Sequence, residues 1–361
     1  MSDHCTVETH ETMSPALRAE WLGLLTRRGW STPFEHPDFV AASVAMSAGE
    51  SCPMILTARA AGDGALRGIL ALGQMKQRFG PLRMSTLRSV SLHRHDLTTT
   101  LADAEWTTRV SRAFAAHLIR LVGRGLQVRV RGIPGSDPLL AELGEAWLFD
   151  LPSPLREADL RGRASWEAVI LDGHQRREIG RAGRRLARTL GWDVHWAGTA
   201  DESRAGFREF STLHADQLAR RGRANHFSST TVNEALEALL AEWVPRGWAD
   251  VGTLRLGDGT PIAAYILFHS DQHTWAYRTC FALEWGRHAP GALMLAAAVD
   301  RAIARGSERY DFGWGDQSYK RHWSTVVGTV IRLTTNPGVR QLPFRALSKL
   351  GVPLRTMCVG R

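Results

Sequence analysis

Residues 249–281 read ADVGTLRLGDGTPIAAYILFHSDQHTWAYRTCF. Three β-rich runs, ADVGTLRL, PIAAYILFH and HTWAYRTCF, are separated by GDGT (257–260) and SDQ (270–272). Asp258-Gly259 is a tight-turn signal, and such short connections allow only antiparallel neighbours, so the spacing predicts a three-stranded meander. After it comes GALMLAAAVDRAIARG (291–306), apolar almost all round for two turns. Pro290 stands before it, Arg301 and Arg305 in its last turns and Gly306 as its stop, so both ends of a helix are marked. The chain then enters ERYDFGW as a strand, crosses the connector GDQSYKRHW (315–323) and leaves by VVGTVIRLTT (326–335), an alternating strand.

Before the meander, HQRREIGRAGRRLARTL (174–190) places Ile179, Leu186 and Leu190 at helical spacing with six arginines on the remaining faces. WDVHWA (192–197) alternates as a strand. FREFSTLHADQLARRG (207–222) and VNEALEALLAEWVPRG (232–247) show the helical period and end in glycine. The resulting order of elements is that of a mixed α/β layer structure. The first half repeats the plan more faintly. MILTARAAGDGALRGILALG reads as two strands around an Asp-Gly turn, followed by LRMSTLRS, the helix WTTRVSRAFAAHLIRLVG and the strand LQVRVRG. Two copies of one plan follow, with residues 1–150 as the structural half and 165–335 as the half that carries chemistry. LPSPLREADLRGRA (151–164), with two prolines and no apolar period, reads as a linker. The proline-punctuated basic residues 336–361 read as a surface tail.

A chain of 361 residues has room for two ordinary domains. No apolar run approaches the roughly 18–20 residues that span a bilayer, and the first 30 residues lack the basic-then-apolar order of a leader, so a cytoplasmic protein without a membrane span is expected. Four scattered cysteines, Cys5, Cys52, Cys280 and Cys358, offer no metal or redox pair spacing. His93, His95 and Asp96 stand close together but without a further ligand cluster, so no metal is expected. The net charge of +9 suits an anionic partner or substrate. There is no GxSxG elbow and no phosphate loop ending in GK[ST].

Two stretches carry candidate chemistry. The lead-in to the Pro290 helix, WGRHAPGAL, offers Arg287, His288, Gly291 and Ala292 at a helix N-terminus, where free N–H groups and the dipole favour phosphate. In YDFGWGDQSYKRHW (310–323), Asp311, Trp314 and Asp316 fall at the carboxyl end of a strand, where open α/β sheets bind ligands. An acyl transferase must remove a proton from its acceptor and stabilise charge on the attacked carbonyl. Asp311 or Asp316 fits the first task, and Tyr319 and Lys320 fit the second. All four tyrosines, Tyr265, Tyr277, Tyr310 and Tyr319, lie in this region. Tyr265, Tyr277 and Trp314, with His214 from the 207–222 helix, are the candidate substrate-facing residues.

The basic helix, FSTLHADQLARRG, the meander, APGALMLAAAVDRAIARG and YDFGWGDQSYKRHW together resemble the GNAT acyltransferase superfamily, in the branch of the cellulose-biosynthesis protein CelD and the BioF2-like acetyltransferases. The branch is similar to FemAB-type peptidyltransferases, whose two tandem GNAT-like halves match the duplication. The resemblance implies transfer of an acyl group, most simply acetyl from acetyl-CoA or another acyl-CoA, to an amine or hydroxyl. The acceptor would be a small-molecule or glycan-derived compound, linked to envelope polysaccharide metabolism. It places the donor pyrophosphate at Arg287 to Ala292, where Pro290 replaces the first glycine of the family's turn. The alternative it implies is an aminoacyl-tRNA donor, with Lys320 on phosphate and the basic helix on tRNA. No DNA partner is implied.

Overall fold

The computed structural model describes residues 4–29, 32–47, 51–79, 82–90, 96–143, 147–223 and 229–335. His93, His95 and the tail 336–361 lie outside the described residues. Thirteen strands are described: β1 (Cys5–His10), β2 (Cys52–Ala60), β3 (Leu66–Phe79), β4 (Leu82–Ser89), β5 (Leu101–Ala102), β6 (Gln127–Pro134), β7 (Trp147–Asp159), β8 (Trp192–Trp196), β9 (Ala249–Leu256), β10 (Pro261–His269), β11 (His273–Phe281), β12 (Arg309–Trp314) and β13 (Thr325–Thr335). They form one sheet in the order β1-β2-β3-β4-β6-β13-β7-β12-β11-β10-β9-β8, with β5 attached to β3.

The duplication is explicit in the ladders. In the first half the meander β2-β3-β4 is followed by the helix Thr107–Gly123 and by β6, parallel to β4. In the second, β9-β10-β11 is followed by the helix Pro290–Ala304 and by β12, parallel to β11. The strand after each parallel pair is exchanged between halves. β7 leaves the first half to pair with β12, and β13 returns from the second half to pair with β6. β7 and β13 also pair with each other from Trp147–Thr335 to Glu157–Thr325, which fuses the halves into one sheet.

This exchange overturns the linker expected at 151–164, because residues 151–159 belong to β7. Prolines are tolerated in a strand only where no ladder N–H is needed. Pro152 falls where the β7–β13 register slips opposite Val330 to Arg332. The Pro154 carbonyl accepts from Gly315 N–H at 2.9 Å, so the proline contributes as an acceptor.

Helices cover both faces of the second half. Pro290–Ala304 buries Met294, Ala298, Val299 and Ala302 on one face beside the six-arginine helix Gly173–Thr189, which buries Ile179 and Leu186. On the other face, Ala200–Arg220 and Thr230–Trp243 pack Phe207, Phe210, Leu240 and Trp243 against β10. The Ala200 helix begins seven residues before the apolar period because Thr199 and Glu202 cap each other's backbone N–H groups. The first-half helix Pro37–Met46 reaches into this second core, its Phe39 packed edge-on against Phe268 and Tyr277.

A buried polar chain ties the amino-terminal ends of β11 and β12 to the helices. His269 bonds Asp250 at 3.0 Å and Thr274 at 2.9 Å, Thr274 bonds Ser307 at 2.8 Å, and Arg301 donates twice to Asp250. Burial alone would raise the Asp250 carboxyl, but the hydrogen bonds from His269 and Arg301 outweigh it and hold the group at about 2. Burial holds His269 below its ordinary value against the pull of Asp250. Both depressed groups bind protons more readily in the unfolded chain, so each contributes stability that disappears as pH falls. Thermal denaturation is expected to show one loss of stability as pH drops below the ordinary histidine range, and a second between about pH 4 and 2. His269→Gln should shrink the first loss, to which the likewise depressed His36 also contributes, and should weaken the second by removing a hydrogen bond from Asp250.

Gly132 sits at φ 76°, and a Cβ there would meet the Asp96 carbonyl oxygen at 2.3 Å. Gly132→Ala should therefore cost on the order of 2–4 kcal/mol, read as a lowered denaturation midpoint, because the obstacle is backbone.

Candidate active site

The cleft exists because two parallel strands stop pairing. β11 and β12 share only His273–Arg309, Thr274–Tyr310 and Trp275–Asp311, and beyond Asp311 they diverge. On one side β12 breaks register with β7 between Asp311 and Trp314, with Gly313 at φ 71° and Gly315 at φ 108°. On the other, the β10–β11 register shifts so that Tyr277 is an extra residue, a bulge of the kind that re-aims side chains beside functional sites. The resulting cleft holds about 180 Å³. Its walls include Trp275 to Thr279 from β11, Asp311 to Trp314 from β12, Tyr319 and Lys320 from the connector, and Phe34 and Leu97 from the first half.

Asp311 is 3% exposed and accepts a hydrogen bond from Gly313 N–H. Burial pushes its carboxyl up to about 7. The Gly313 bond opposes this shift, Glu157 adds to it, and the charges of His273 and Lys320 oppose it. Lys320, on the short helix Ser318–Arg321, is also 3% exposed and donates to the carbonyls of Gly313 at 3.2 Å and Trp314 at 3.1 Å. Burial lowers its ammonium to about 8 against the pull of Asp311. A carboxyl and an ammonium, both dehydrated and both brought near neutrality, can exchange protons with a substrate at little cost.

Of the residues singled out in the sequence, the cleft gathers Asp311, Tyr319, Lys320, Trp314, Tyr265, Tyr277 and His214. Tyr265 is fully enclosed, and burial raises its phenol. Tyr319 stands 42% exposed. His214 stacks on Phe210 at 5.4 Å. Asp316 is not in the cleft. It is exposed and engaged by Arg156 at 2.8 Å and by Arg321, which hold its carboxyl low, so it clamps the connector to β7.

Arg287, His288, Gly291 and Ala292 also lie apart from the cleft, at the far end of β11. Phe281 lies six positions along β11 from Trp275, which is roughly 20 Å of extended chain. Gly291 is required by packing, since a Cβ there would meet the Phe281 ring at 2.9 Å. Pro290 has no N–H, and those of Ala292 and Leu293 both donate to Ala289, whose backbone is left-handed at φ 52°. Gly291 N–H has no partner among the described residues. His288 is 7% exposed. Its Nε2 accepts from Arg287 Nε at 3.0 Å, which assigns the proton to Nδ1, and Nδ1 is buried without a partner. Two orphan donors and the Arg287 cation therefore face this end, a set that fits phosphate. Arg185 of the six-arginine helix donates to the Arg287 carbonyl at 2.8 Å and braces the turn.

Sequence reading missed Arg278, Phe34 and Leu97. Arg278 was legible only as an arginine inside an apolar strand, and the first-half residues reach the cleft through long-range packing with no local signal.

Residues 173–321 match the acetyltransferase (GNAT) domain family. No curated protein sequence matches the chain. Among solved structures, the fold is similar to FemX, at 11% identity and TM-score 0.58, covering 94% of this chain and 99% of that one. It is also similar to the C-terminal domain of a putative lysylphosphatidylglycerol synthetase from Agrobacterium fabrum, at 12% identity and TM-score 0.56, covering 92% and 95%. A tandem GNAT protein from the clavulanic acid biosynthesis pathway aligns at 13% identity and TM-score 0.50, covering 92% and 100%. The chain thus has a tandem, FemAB-like GNAT fold, with the match to the GNAT family confined to residues 173–321. Among the described residues no helix is long and apolar enough to cross a membrane.

Asp311→Asn should lower transfer by about 10²–10⁴-fold and remove the rising limb near pH 7 from the pH–rate profile. The raised carboxyl destabilises the fold once ionised, so the same variant should unfold later than the parent at pH 8, by on the order of 1–3 kcal/mol.

Proposed function

We propose that the protein moves an acyl group, most simply from an acyl-CoA, directly onto an amine or hydroxyl of a small-molecule or sugar-derived acceptor. The observation that carries this reading is Asp311, a dehydrated carboxyl pushed up to about 7 at the point where β11 and β12 part. A bound acyl-CoA would supply an activated thioester carbonyl. Arg287, Gly291 N–H and His288 Nδ1–H would hold its phosphates, and the roughly 20 Å of β11 between that end and Trp275 suits a long donor laid along the strand. Asp311 takes the proton from the acceptor as its nitrogen or oxygen bonds to the acyl carbon, and the acyl C–S bond breaks with the electron pair leaving on sulfur. Lys320, fixed on two carbonyls, balances the negative charge that Asp311 carries before the transfer. Tyr319 closes the mouth and offers a phenol to the departing group.

A second reading, aminoacyl-tRNA as donor, is favoured by the six-arginine helix Gly173–Thr189, which braces the same phosphate-facing turn through Arg185. A polyanion on that helix would contact several guanidinium groups at once, so its binding would weaken steeply with salt.

Calorimetry with acetyl-CoA and with bulk tRNA, each at low and moderate salt, separates the two donors. Binding of acetyl-CoA that weakens at least tenfold in Arg287→Met is expected. Absence of binding in the parent protein would remove the acyl-CoA reading. Salt-sensitive tRNA binding would establish the second.

A further inference from the structure

Arg278 is a charged cleft residue whose chemistry the transfer does not use. It follows the bulged Tyr277 on β11, and its guanidinium lies over the Tyr277 ring, 5.3 Å from the centroid. On a regular strand the two side chains would leave opposite faces of the sheet. The bulge turns them to the same cleft, which both line. No acid among the described residues pairs with Arg278, and its Nε is buried without a hydrogen-bond partner. A partly buried arginine keeps its charge, and its planar fork matches a carboxylate or phosphate oxygen pair. Stacked on Tyr277, which Phe34 and Phe39 hold in place, the fork is already ordered.

We infer that Arg278 is the recognition residue for an oxyanion on the acceptor, a carboxylate or a phosphate ester, which it receives over the Tyr277 ring. The inference rests on the acyl-transfer reading for the identity of the ligand as acceptor. The donor's phosphates are assigned to the turn beyond Phe281, whereas Arg278 stands three residues from Trp275, roughly 10 Å along the strand from the level of Asp311. The acceptor class is therefore an amine or hydroxyl compound that also carries a carboxylate or a phosphate ester within reach of the same cleft. That describes an acidic or phosphorylated acceptor, in contrast to a neutral amine or alcohol.

Isothermal calorimetry of the full chain with inorganic phosphate and with succinate, on the parent, Arg278→Met and Arg278→Lys, tests this without requiring turnover. At least one anion is expected to bind the parent and to bind Arg278→Met at least tenfold more weakly. Arg278→Lys, which keeps the charge but loses the fork, should weaken binding by a smaller factor. Response to succinate alone identifies a carboxylate and response to phosphate alone a phosphate ester. If Arg278→Met does not fold, Arg278→Lys decides. Failure of both anions to bind the parent, or affinity unchanged by either substitution, overturns the inference. Because binding is read directly, a parent that binds the anion through Arg278 yet transfers no acyl group would sink the acyl-transfer reading and leave the anion site standing.

Discussion

Three pairs of parallel ladder, His273–Arg309 to Trp275–Asp311, hold β11 and β12 together, and the site depends on that ladder ending where it does. Had the pairing continued, Asp311 would be an interior residue with nowhere to send a proton. Had it ended earlier, Asp311 would be hydrated and an ordinary carboxylate. The ending is enforced from both sides. Gly313 and Gly315 let β12 swing toward β7 through backbone angles that other residues seldom adopt, and the extra residue at Tyr277 lifts β11 off its regular path.

The cleft spends stability that the surrounding sheet supplies. A buried carboxyl and a buried lysine are each costly, and here they are tolerated because they sit close enough to offset one another and because Lys320 has two carbonyl acceptors. The Asp250–His269–Arg301 network at the opposite end of the same strands is the contrasting case. There every charged group has close hydrogen-bonding partners, the carboxyl is held low, and the chain of bonds fixes the ends of β10 and β11. One set of strands thus carries a carboxyl held low at its base and one pushed up where it opens.

Much of the second half was legible because its signals are local. Asp258-Gly259 fixed the hairpin, and Pro290 with Gly306 bracketed a helix that the structure places at Pro290–Ala304. Asp311, Tyr319 and Lys320 could be grouped because one glycine-rich strand exit carries all three. Arg278 was hidden because a bulge, which no local pattern announces, decides which face it occupies. Asp316 misled because a carboxylate beside two catalytic candidates looks the same whether it faces a cleft or two arginines. The strand Trp147–Asp159 was misread for a related reason. Prolines exclude a regular two-sided strand, and only the register slip against β13 and the bond from Gly315 make this one possible. Thr199 and Glu202, by contrast, form a capping pair that the sequence does display, and it marks the true start of the Ala200 helix.

The exchange of β7 and β13 between halves also governs how the chain can assemble. β6 finds its outer neighbour only in β13, about two hundred positions later, so the first half carries a raw sheet edge until the last strand has been made. During synthesis that edge waits on the ribosome's progress. Neither half can be cut out as a closed unit, and the seam that shapes the crevice becomes solid only once β13 has been made.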